Sequence, residues 1–150
     1  MKKKLERGSE WRKWDLQIQP IKDEWLKDPF NHKTNIKNSV RDFILKAIER
    51  DIEIIAITDH NCGYAIDLAF EYVSQNNLNI TILPGVEIEL PEGWHIVVIF
   101  NPEYKEKVNC DSWQETVQAF LRNIGGLNSF FDENGIDRKS TRLNSSHVSQ

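Results

Sequence analysis

The chain has 150 residues, which is enough for one domain with a buried core and too few for two sizeable domains. Hydrophobic residues make up 39% of it, and the mean hydropathy of -0.54 is typical of an ordinary soluble domain. The net charge is -4, but basic residues are concentrated at both ends and leave an acidic middle. That balance argues against a protein that coats nucleic acid, and it suits a domain that gathers carboxylates around cations.

Cysteine spacing and the absence of long apolar runs indicate in which cellular compartment the chain is expected. Cys62 and Cys110 lie far apart and form no CxxC pair, so a zinc site built from cysteines is not expected. The first thirty residues contain no apolar core of a signal peptide, and no run approaches the roughly 18 apolar residues of a membrane span. We therefore predict a cytoplasmic chain with reduced thiols and no membrane partner.

Three segments differ in composition. A basic lead covers residues 1–13, a folded segment covers 14–131, and a polar tail covers 132–150. The tail has no apolar periodicity and cannot bury a face, which is typical of disorder. From residue 138 it is also similar to a translated run that recurs at broken ends of open reading frames. A native disordered tail and a non-native end are therefore both open interpretations.

The folded segment begins with a strand predicted over 14–19, which places Gln17 and Gln19 on one face. The stretch over 20–37 is rich in polar residues and breakers, so it predicts a loop. Apolar residues then recur at helical or strand spacing in four further segments. These segments predict a helix over 39–50, a strand over 52–57, a helix over 64–76 and a strand over 80–83.

A hairpin is predicted near 86–100, because two apolar strands flank the turn signal Pro91-Glu92-Gly93. Pro84-Gly85 separates this hairpin from the strand before it. A further helix begins at Ser112, whose spacing to Glu115 fits a capping box. Strands and helices alternate before the hairpin, which predicts an α/β fold with mostly parallel strands.

The tetrapeptide Thr58-Asp59-His60-Asn61 directly follows the apolar strand 52–57. Parallel α/β sheets and barrels build their active sites at the carboxyl ends of strands. An Asp and a His in that place can both bind a metal, or the Asp can orient the His. The alternative is that Asp59 only caps the helix that follows.

The predicted hairpin brings a second set of metal-binding side chains together. A turn at Pro91-Glu92-Gly93 pairs Glu89 with His95 and, two residues further, Glu87 with Val97. Alternation along both strands then places Glu87, Glu89 and His95 on one face. An imidazole beside carboxylates can bind Zn, Mn or Fe. The alternatives are a strand histidine satisfied by one carboxylate, and glutamates on a solvated face.

Three motifs, in this order, resemble the polymerase and histidinol phosphatase (PHP) superfamily. They are Ile57-Thr58-Asp59-His60-Asn61, Leu83-Pro84-Gly85-Val86-Glu87-Ile88 and His95-Ile96-Val97-Val98. The resemblance spans about residues 8–100, and residues 8–16 are further similar to bacterial members in which the PHP domain precedes an ATPase domain. It implies that this chain forms the amino-terminal half of a distorted (β/α)7 barrel.

The resemblance also implies an activity and a site. Family members hydrolyse phosphoesters with up to three metal ions held by His, Asp and Glu side chains. By this resemblance His60, Glu87 and His95 are metal ligands, and Asp59 is a further ligand. Asp59 and His60 are the implied catalytic residues. The implied cofactor is a divalent metal (Zn, Mn or Fe), and the implied partners are a phosphoester substrate or phosphate and, in a full-length parent, an ATPase domain.

Two departures weaken the implied site. The family's first motif, His-x-His, is replaced by Gln17 and Gln19, and an amide offers a transition metal only a neutral carbonyl oxygen. Alternation still directs both side chains to the face where ligands should stand, and His32 is a candidate replacement. The family's later His and Asp ligands have no counterpart in this chain. We therefore expect reduced metal occupancy and weak or absent hydrolysis.

Two other functions fit the same sequence. A PHP-like domain without turnover would bind a metal, a nucleotide or phosphate, or would act as a scaffold for an associated ATPase. A single-stranded nucleic-acid binder would stack bases on Trp11, Trp14 and Trp25 beside the basic amino terminus. Tryptophans in a leading segment more often pack on a core, so nucleic acid is the less favoured partner.

Overall fold

A computed structural model describes residues 12–90 and 93–124. The predictions for most of the basic lead and for the polar tail over 132–150 lie outside these residues, as does Trp11. In the described part the chain is a mixed α/β fold around one curled, four-stranded sheet. The predicted fold class is therefore confirmed at this coarse level.

The described residues form four strands and five helices, with a helix between most successive strands. They are β1 (Trp14–Ile18), α1 (Asp23–Leu26), α2 (Lys33–Glu49), β2 (Ile54–Ile57), α3 (Tyr64–Gln75), β3 (Thr81–Glu89), β4 (His95–Ile99), α4 (Tyr104–Lys107) and α5 (Trp113–Asn123). The sheet order is β1-β2-β3-β4, with the first three strands parallel and β4 antiparallel to β3. The predicted mostly parallel sheet with a hairpin at its end is confirmed.

The core lies where the sheet packs against its helices. Ile55, Ala56 and Ile57 of β2 are fully buried, which is typical of a central parallel strand covered on both faces. Helix α2 contributes Ile36 and Ile44 to the same cluster, and α5 contributes Val117. Because β2 is fixed on both sides, its carboxyl end is a rigid place from which Thr58-Asp59-His60-Asn61 begins.

The prediction of a loop over 20–37 is wrong in part. Helix α1 lies inside it, and α2 begins at Lys33 instead of near residue 39. Ile36 extends the buried stripe of α2 by one turn toward the amino end, because it lies four residues before Val40. His32 occupies the N-cap without a side-chain capping bond, so no cap signal marks this start in the sequence.

The predicted break at Pro84-Gly85 is also wrong, because β3 runs without interruption through both residues. Pro84 pairs with Ile57 at the end of the regular parallel ladder, and from Gly85 onward β3 pairs with β4, with one further parallel bridge between Glu87 and His60. A Cβ on Gly85 would lie 2.8 Å from both the Thr58 Cγ2 atom and the Val98 carbonyl oxygen. Pro84 and Gly85 therefore mark the point where the pairing with β4 begins and where the backbones approach closely. They do not end strand β3.

Strand β4 is one edge of the described sheet, and it is poorly covered. All of its residues except Val98 are exposed, including Ile96, Val97 and Ile99. An apolar strand that is exposed in this way lacks a covering layer on at least one face. Within the described ranges, the helices are too short or too polar for any of them to cross a membrane.

Candidate metal centre

His60 and Glu87 are neighbours because their backbones form a parallel bridge just beyond β2. The Asn61 N–H donates to the Glu87 carbonyl oxygen at 2.9 Å, and the Glu87 N–H donates to the Asp59 carbonyl oxygen at 3.2 Å. This bridge extends the β2–β3 pairing past the end of the named strand. It places the imidazole at the carboxyl end of β2 beside the carboxylate of β3, as the order of elements predicts.

His95 reaches the same carboxylate from the hairpin. Glu89 pairs with His95 and Glu87 pairs with Val97, so the register predicted from the turn is confirmed. Nδ1 of His95 lies 2.5 Å from Oε1 of Glu87. The predicted turn residues 91 and 92 lie outside the described part, but the register on either side of them fixes the loop length.

The three predicted ligands converge on one point. Nε2 of His60 lies 3.5 Å from Oε1 of Glu87, and the rings of His60 and His95 meet edge to face with centroids 5.5 Å apart. One ligand atom from each of His60, Glu87 and His95 lies within 4.8 Å of the others. The Glu87 side chain is 4% exposed, His60 20% and His95 45%, so the carboxylate forms the floor and the imidazoles form the rim.

Hydrogen bonds and nearby charge decide the protonation of Glu87. Burial alone raises the pKa of this carboxyl, but hydrogen bonds from His95 and Gln17 and the positive charge of the two imidazoles outweigh it. The pKa of Glu87 therefore lies below its ordinary value. The ionised form, which is the form that binds a cation, is favoured.

Gln17 and Gln19 both face this carboxylate, as alternation along β1 predicts. Nε2 of Gln17 donates to Oε2 of Glu87 at 2.7 Å, and Nε2 of Gln19 donates to the same oxygen. Nε2 of Gln19 also lies 3.4 Å from the Thr58 carbonyl oxygen. The two oxygens of Glu87 are thus divided, with Oε1 against the imidazoles and Oε2 against the amides. The glutamines act as donors to Glu87, which turns their carbonyl oxygens away from it.

Asp59 does not join the cluster of His60, Glu87 and His95. It is 1% exposed, and its Oδ1 accepts the backbone N–H of Ile21 at 2.8 Å, so it fastens the segment between β1 and α1. Oδ1 of Asp59 accepts from Ile21 and Oδ2 has no partner among the described residues, so neither oxygen caps α3 and the alternative that Asp59 caps this helix is wrong. Its roles as ligand and catalytic residue stay predictions.

The second oxygen of Asp59 is buried without a partner. Among the described residues, no group hydrogen-bonds Oδ2 of Asp59, and the same holds for Oγ1 of Thr58. Burial raises the pKa of Asp59 well above its ordinary value, the Ile21 N–H lowers it, and the charge of Asp23 raises it further. A buried carboxylate with a free oxygen costs stability, which is typical of residues kept for function.

Asp23 is a site residue that sequence reasoning missed. Its Oδ1 lies 3.4 Å from Nδ1 of His60, on the side of the ring opposite Glu87. Acidic residues in the first turn of α1 are a signal for the start of a helix, but the interpretation of 20–37 as a loop does not use it. His32 does not replace the missing imidazoles, because its ring stacks on Trp25 and lies outside the cluster.

The two cysteines should differ in reactivity. Burial, and secondarily the charge of Asp59, raises the pKa of the Cys62 thiol to about 12, whereas Cys110 is partly exposed. Because the thiolate is the reactive form, we expect Ellman's reagent at pH 8 to label Cys110 promptly and Cys62 only after denaturant is added. A Cys110→Ser variant is the control. Prompt labelling that persists in this variant would contradict the burial of Cys62.

Comparison with known proteins does not add a family to this geometry. A scan against models of known protein families found no family that matches the chain, and a search of curated proteins found no match. The resemblance to the PHP superfamily therefore stays a prediction that rests on three short motifs of the sequence.

Proposed function

We propose that this chain is a partial PHP-type barrel that binds one divalent cation through His60, Glu87 and His95 and hydrolyses phosphoesters weakly. The observation that carries the proposal is the convergence of these three side chains. The three side chains come from three separate motifs, and the sequence predicts each of them as a metal ligand. Their ligand atoms lie within 4.8 Å of one another. A curled sheet of mostly parallel strands with a poorly covered edge at β4 is compatible with half of a barrel.

The donor set suits a divalent transition metal. Two imidazole nitrogens and one carboxylate oxygen are the mixture that Zn, Mn and Fe accept, and three protein ligands leave room for substrate. The lowered pKa of the buried Glu87 carboxyl favours its ionised form, and the imidazoles of His60 and His95 are partly exposed to solvent. Asp23, on the far side of His60, is placed to orient that ring as carboxylates orient metal-binding histidines.

A cation held there would supply positive charge that polarises a phosphoryl oxygen. The residues of the chain have three tasks around it. His60 and His95 form the rim that a phosphoester or phosphate would approach, and Glu87 supplies the negative charge of the floor. Asp59 is buried, so its position favours a supporting role over direct proton transfer to a substrate.

A non-catalytic domain is the second candidate, and the two glutamines favour it. Their amide groups donate to Oε2 of Glu87, so this oxygen is less available to a second cation. A domain with this arrangement would bind a cation or phosphate without turnover and serve as a scaffold beside an ATPase. Measurable hydrolysis that requires the cation separates the first candidate from the second.

Nucleic-acid binding receives less support. Trp25 stacks on His32 with ring centroids 6.0 Å apart, and the Lys22 ammonium lies 5.0 Å from the centre of the same indole. A ring with two such neighbours has little free face for a base. Among the described tryptophans, Trp14 and Trp94 are exposed, but Trp14 begins β1 and Trp94 precedes β4 at the opposite edge of the sheet, so they do not form the row of rings that strand binding needs.

Metal titration of purified protein tests the proposal. We expect stoichiometric binding of Zn²⁺ or Mn²⁺ and slow hydrolysis of a chromogenic aryl phosphate. Removal of any one ligand, as in His60→Ala, Glu87→Gln or His95→Ala, should weaken binding by about tenfold or more, since even the outer partners of a ligand contribute that much. His32→Ala is the matched control and should bind normally. A chain that binds no divalent cation, or binds it equally well after His60→Ala, contradicts the proposal.

A further inference from the structure

The loop over 60–63, which carries His60, is held from two sides. On one side lies β3, where the Asn61 N–H donates to the Glu87 carbonyl oxygen at 2.9 Å. On the other side lies α5, which follows His60 by some fifty residues and contains no candidate ligand. Nε2 of Gln118 donates to the Asn61 carbonyl oxygen at 3.1 Å. The N–H and the carbonyl oxygen of Asn61 are thus hydrogen-bonded by two different elements, β3 and α5.

A second glutamine of α5 holds the end of the same loop. Oε1 of Gln114 accepts the Gly63 N–H at 2.8 Å and the Cys62 thiol at 3.4 Å. The two glutamines lie four residues apart, so they stand on one face of α5 and reach the loop side by side. Gln118 donates to the loop through its amide NH2 group, and Gln114 accepts from the loop through its amide oxygen.

Helix α5 is itself fixed tightly enough to act as a support. The Trp113 N–H donates to both carboxylate oxygens of Asp67 on α3, at 2.9 and 3.1 Å. A Cβ on Gly63 would lie 2.5 Å from the Trp113 carbonyl oxygen and 2.8 Å from Val117 Cγ2, so the loop and the helix are in direct contact. The helix cannot move without moving the loop.

The side chain of His60 is held less firmly than its backbone. Its contacts to Asp23 and Glu87 are 3.4 and 3.5 Å long, and the Asp23 side chain is almost fully exposed. Asn61, the next residue, has a φ of 48°, a left-handed conformation that costs free energy outside glycine and is kept by its surroundings. The position of the imidazole therefore depends on the contacts that hold the loop.

We propose that Gln118 and Gln114 are positioning residues for the metal centre, and that α5 sets the cation affinity through the loop over 60–63. This inference rests on the proposed cation site. Coupling of this kind is reciprocal, so a bound cation should in turn protect the contacts between the loop and α5. Neither glutamine touches the cation.

Replacement of glutamine by glutamate is expected to lower Zn²⁺ affinity at position 118 and to leave it nearly unchanged at position 114. Gln118→Glu replaces the donor with an acceptor against the Asn61 carbonyl oxygen, so we expect Zn²⁺ affinity to fall about tenfold or more. Gln114→Glu keeps the acceptor for the Gly63 N–H, so its affinity should stay within about threefold of the unaltered chain. Gln114→Ala removes that acceptor and should lose affinity as Gln118→Glu does. Added negative charge alone would strengthen cation binding, which is the opposite direction.

Gln75→Glu is the matched control. It adds the same charge near the far end of α3, where Gln75 bonds only Glu71 among the contacts described for it. Gln118→Ala removes the donor without adding charge, and it serves in place of Gln118→Glu if the glutamate variant does not fold. Amide hydrogen exchange in the metal-free chain gives a second readout. Exchange at Asn61 and Gly63 should be faster in Gln118→Ala, while exchange in the centre of α2 is unchanged.

The outcomes separate this inference from the proposed function. Failure of the unaltered chain to bind Zn²⁺ contradicts the metal centre and this inference with it. If the unaltered chain binds Zn²⁺ and the Gln118 variants bind equally well, the inference alone is overturned. Equal losses in Gln118→Glu and Gln75→Glu also overturn it, because the effect would then be general. A loss confined to Gln118→Glu, Gln118→Ala and Gln114→Ala supports it.

Discussion

The double variant Gln17→His, Gln19→His is expected to bind Zn²⁺ about a hundredfold more tightly than the unaltered chain. Gln17 in β1 and Gln19 just after it already donate to Oε2 of Glu87, so imidazoles in their place would stand at the same carboxylate. Even an outer partner of a metal ligand is worth about 10–100-fold in affinity, and an added ligand should contribute no less. Competition with a chromogenic chelator would measure the change.

The control for this experiment is the variant Gln17→Ala, Gln19→Ala. It removes the two donors to Glu87 and adds no ligand, so it separates the loss of a hydrogen bond from the gain of an imidazole. We expect its affinity to lie at or below that of the unaltered chain. If the histidine variant binds no better than the alanine variant, Gln17 and Gln19 are not the main weakness of the site.

The second large effect is expected from Asp59→Asn, which should raise the free energy of unfolding at pH 7 by about 2 kcal/mol. Either side chain leaves a buried polar group without a partner, a penalty of about 1–3 kcal/mol, but the penalty is larger for an ionised oxygen than for a neutral amide. Burial raises the pKa of Asp59 above its unfolded value, so the folded state binds this proton more tightly than the unfolded state. The stability that proton binding by Asp59 provides is complete below about pH 4, and it declines as the pH rises toward the pKa of Asp59 in the folded state. Asparagine cannot ionise and does not undergo this loss, while its oxygen can still accept the Ile21 N–H.

Urea unfolding of the metal-free chain between pH 4 and pH 7 would measure this effect. The gain from Asp59→Asn should be small at pH 4 and should grow with pH. Glu24→Gln is the control, since Glu24 is an exposed carboxyl whose removal should change stability little at any pH. A variant that is less stable than the unaltered chain at pH 7 would contradict the burial of an unpartnered charge.

The same variant decides the role of Asp59. If Asp59 binds the cation, Asp59→Asn should be more stable without metal and should bind metal more weakly. If it only fastens the segment at Ile21, stability should rise and metal affinity should change little. Opposed effects on stability and binding are the expected behaviour of a residue kept for function at a cost to the fold.

The parts of the site that sequence reasoning found depend on short-range rules. The pairing of Glu89 with His95 needs only the length of the turn, and the common face of Glu87 and His95 follows from alternation. The meeting of His60 with Glu87 needs one further rule, that successive parallel strands joined by a helix are neighbours. Each of these rules acts over a single strand connection.

The parts that sequence reasoning missed depend on tertiary contacts. Asp23 reaches His60 from a four-residue helix, and so short a helix has almost no periodic signal. The passage of β3 through Pro84 depends on which neighbouring strand it pairs with at each residue. The amide of Gln118 bonds a backbone carbonyl fifty-seven residues away, and one polar residue on a helix gives no sign of its partner.

The register of the β3–β4 hairpin has a consequence for the order in which the site assembles during folding. Glu87 and His95 are separated by eight residues, and hairpins close in about 1–10 μs. Gln17 is seventy residues from Glu87, roughly three doublings of loop length, so its closure costs about 2 kcal/mol more entropy. The amide donors should therefore reach Glu87 last. A chain in which β1 has not yet docked would already present Glu87 and His95 as a two-ligand half-site, so a cation could join the domain before its fold is complete.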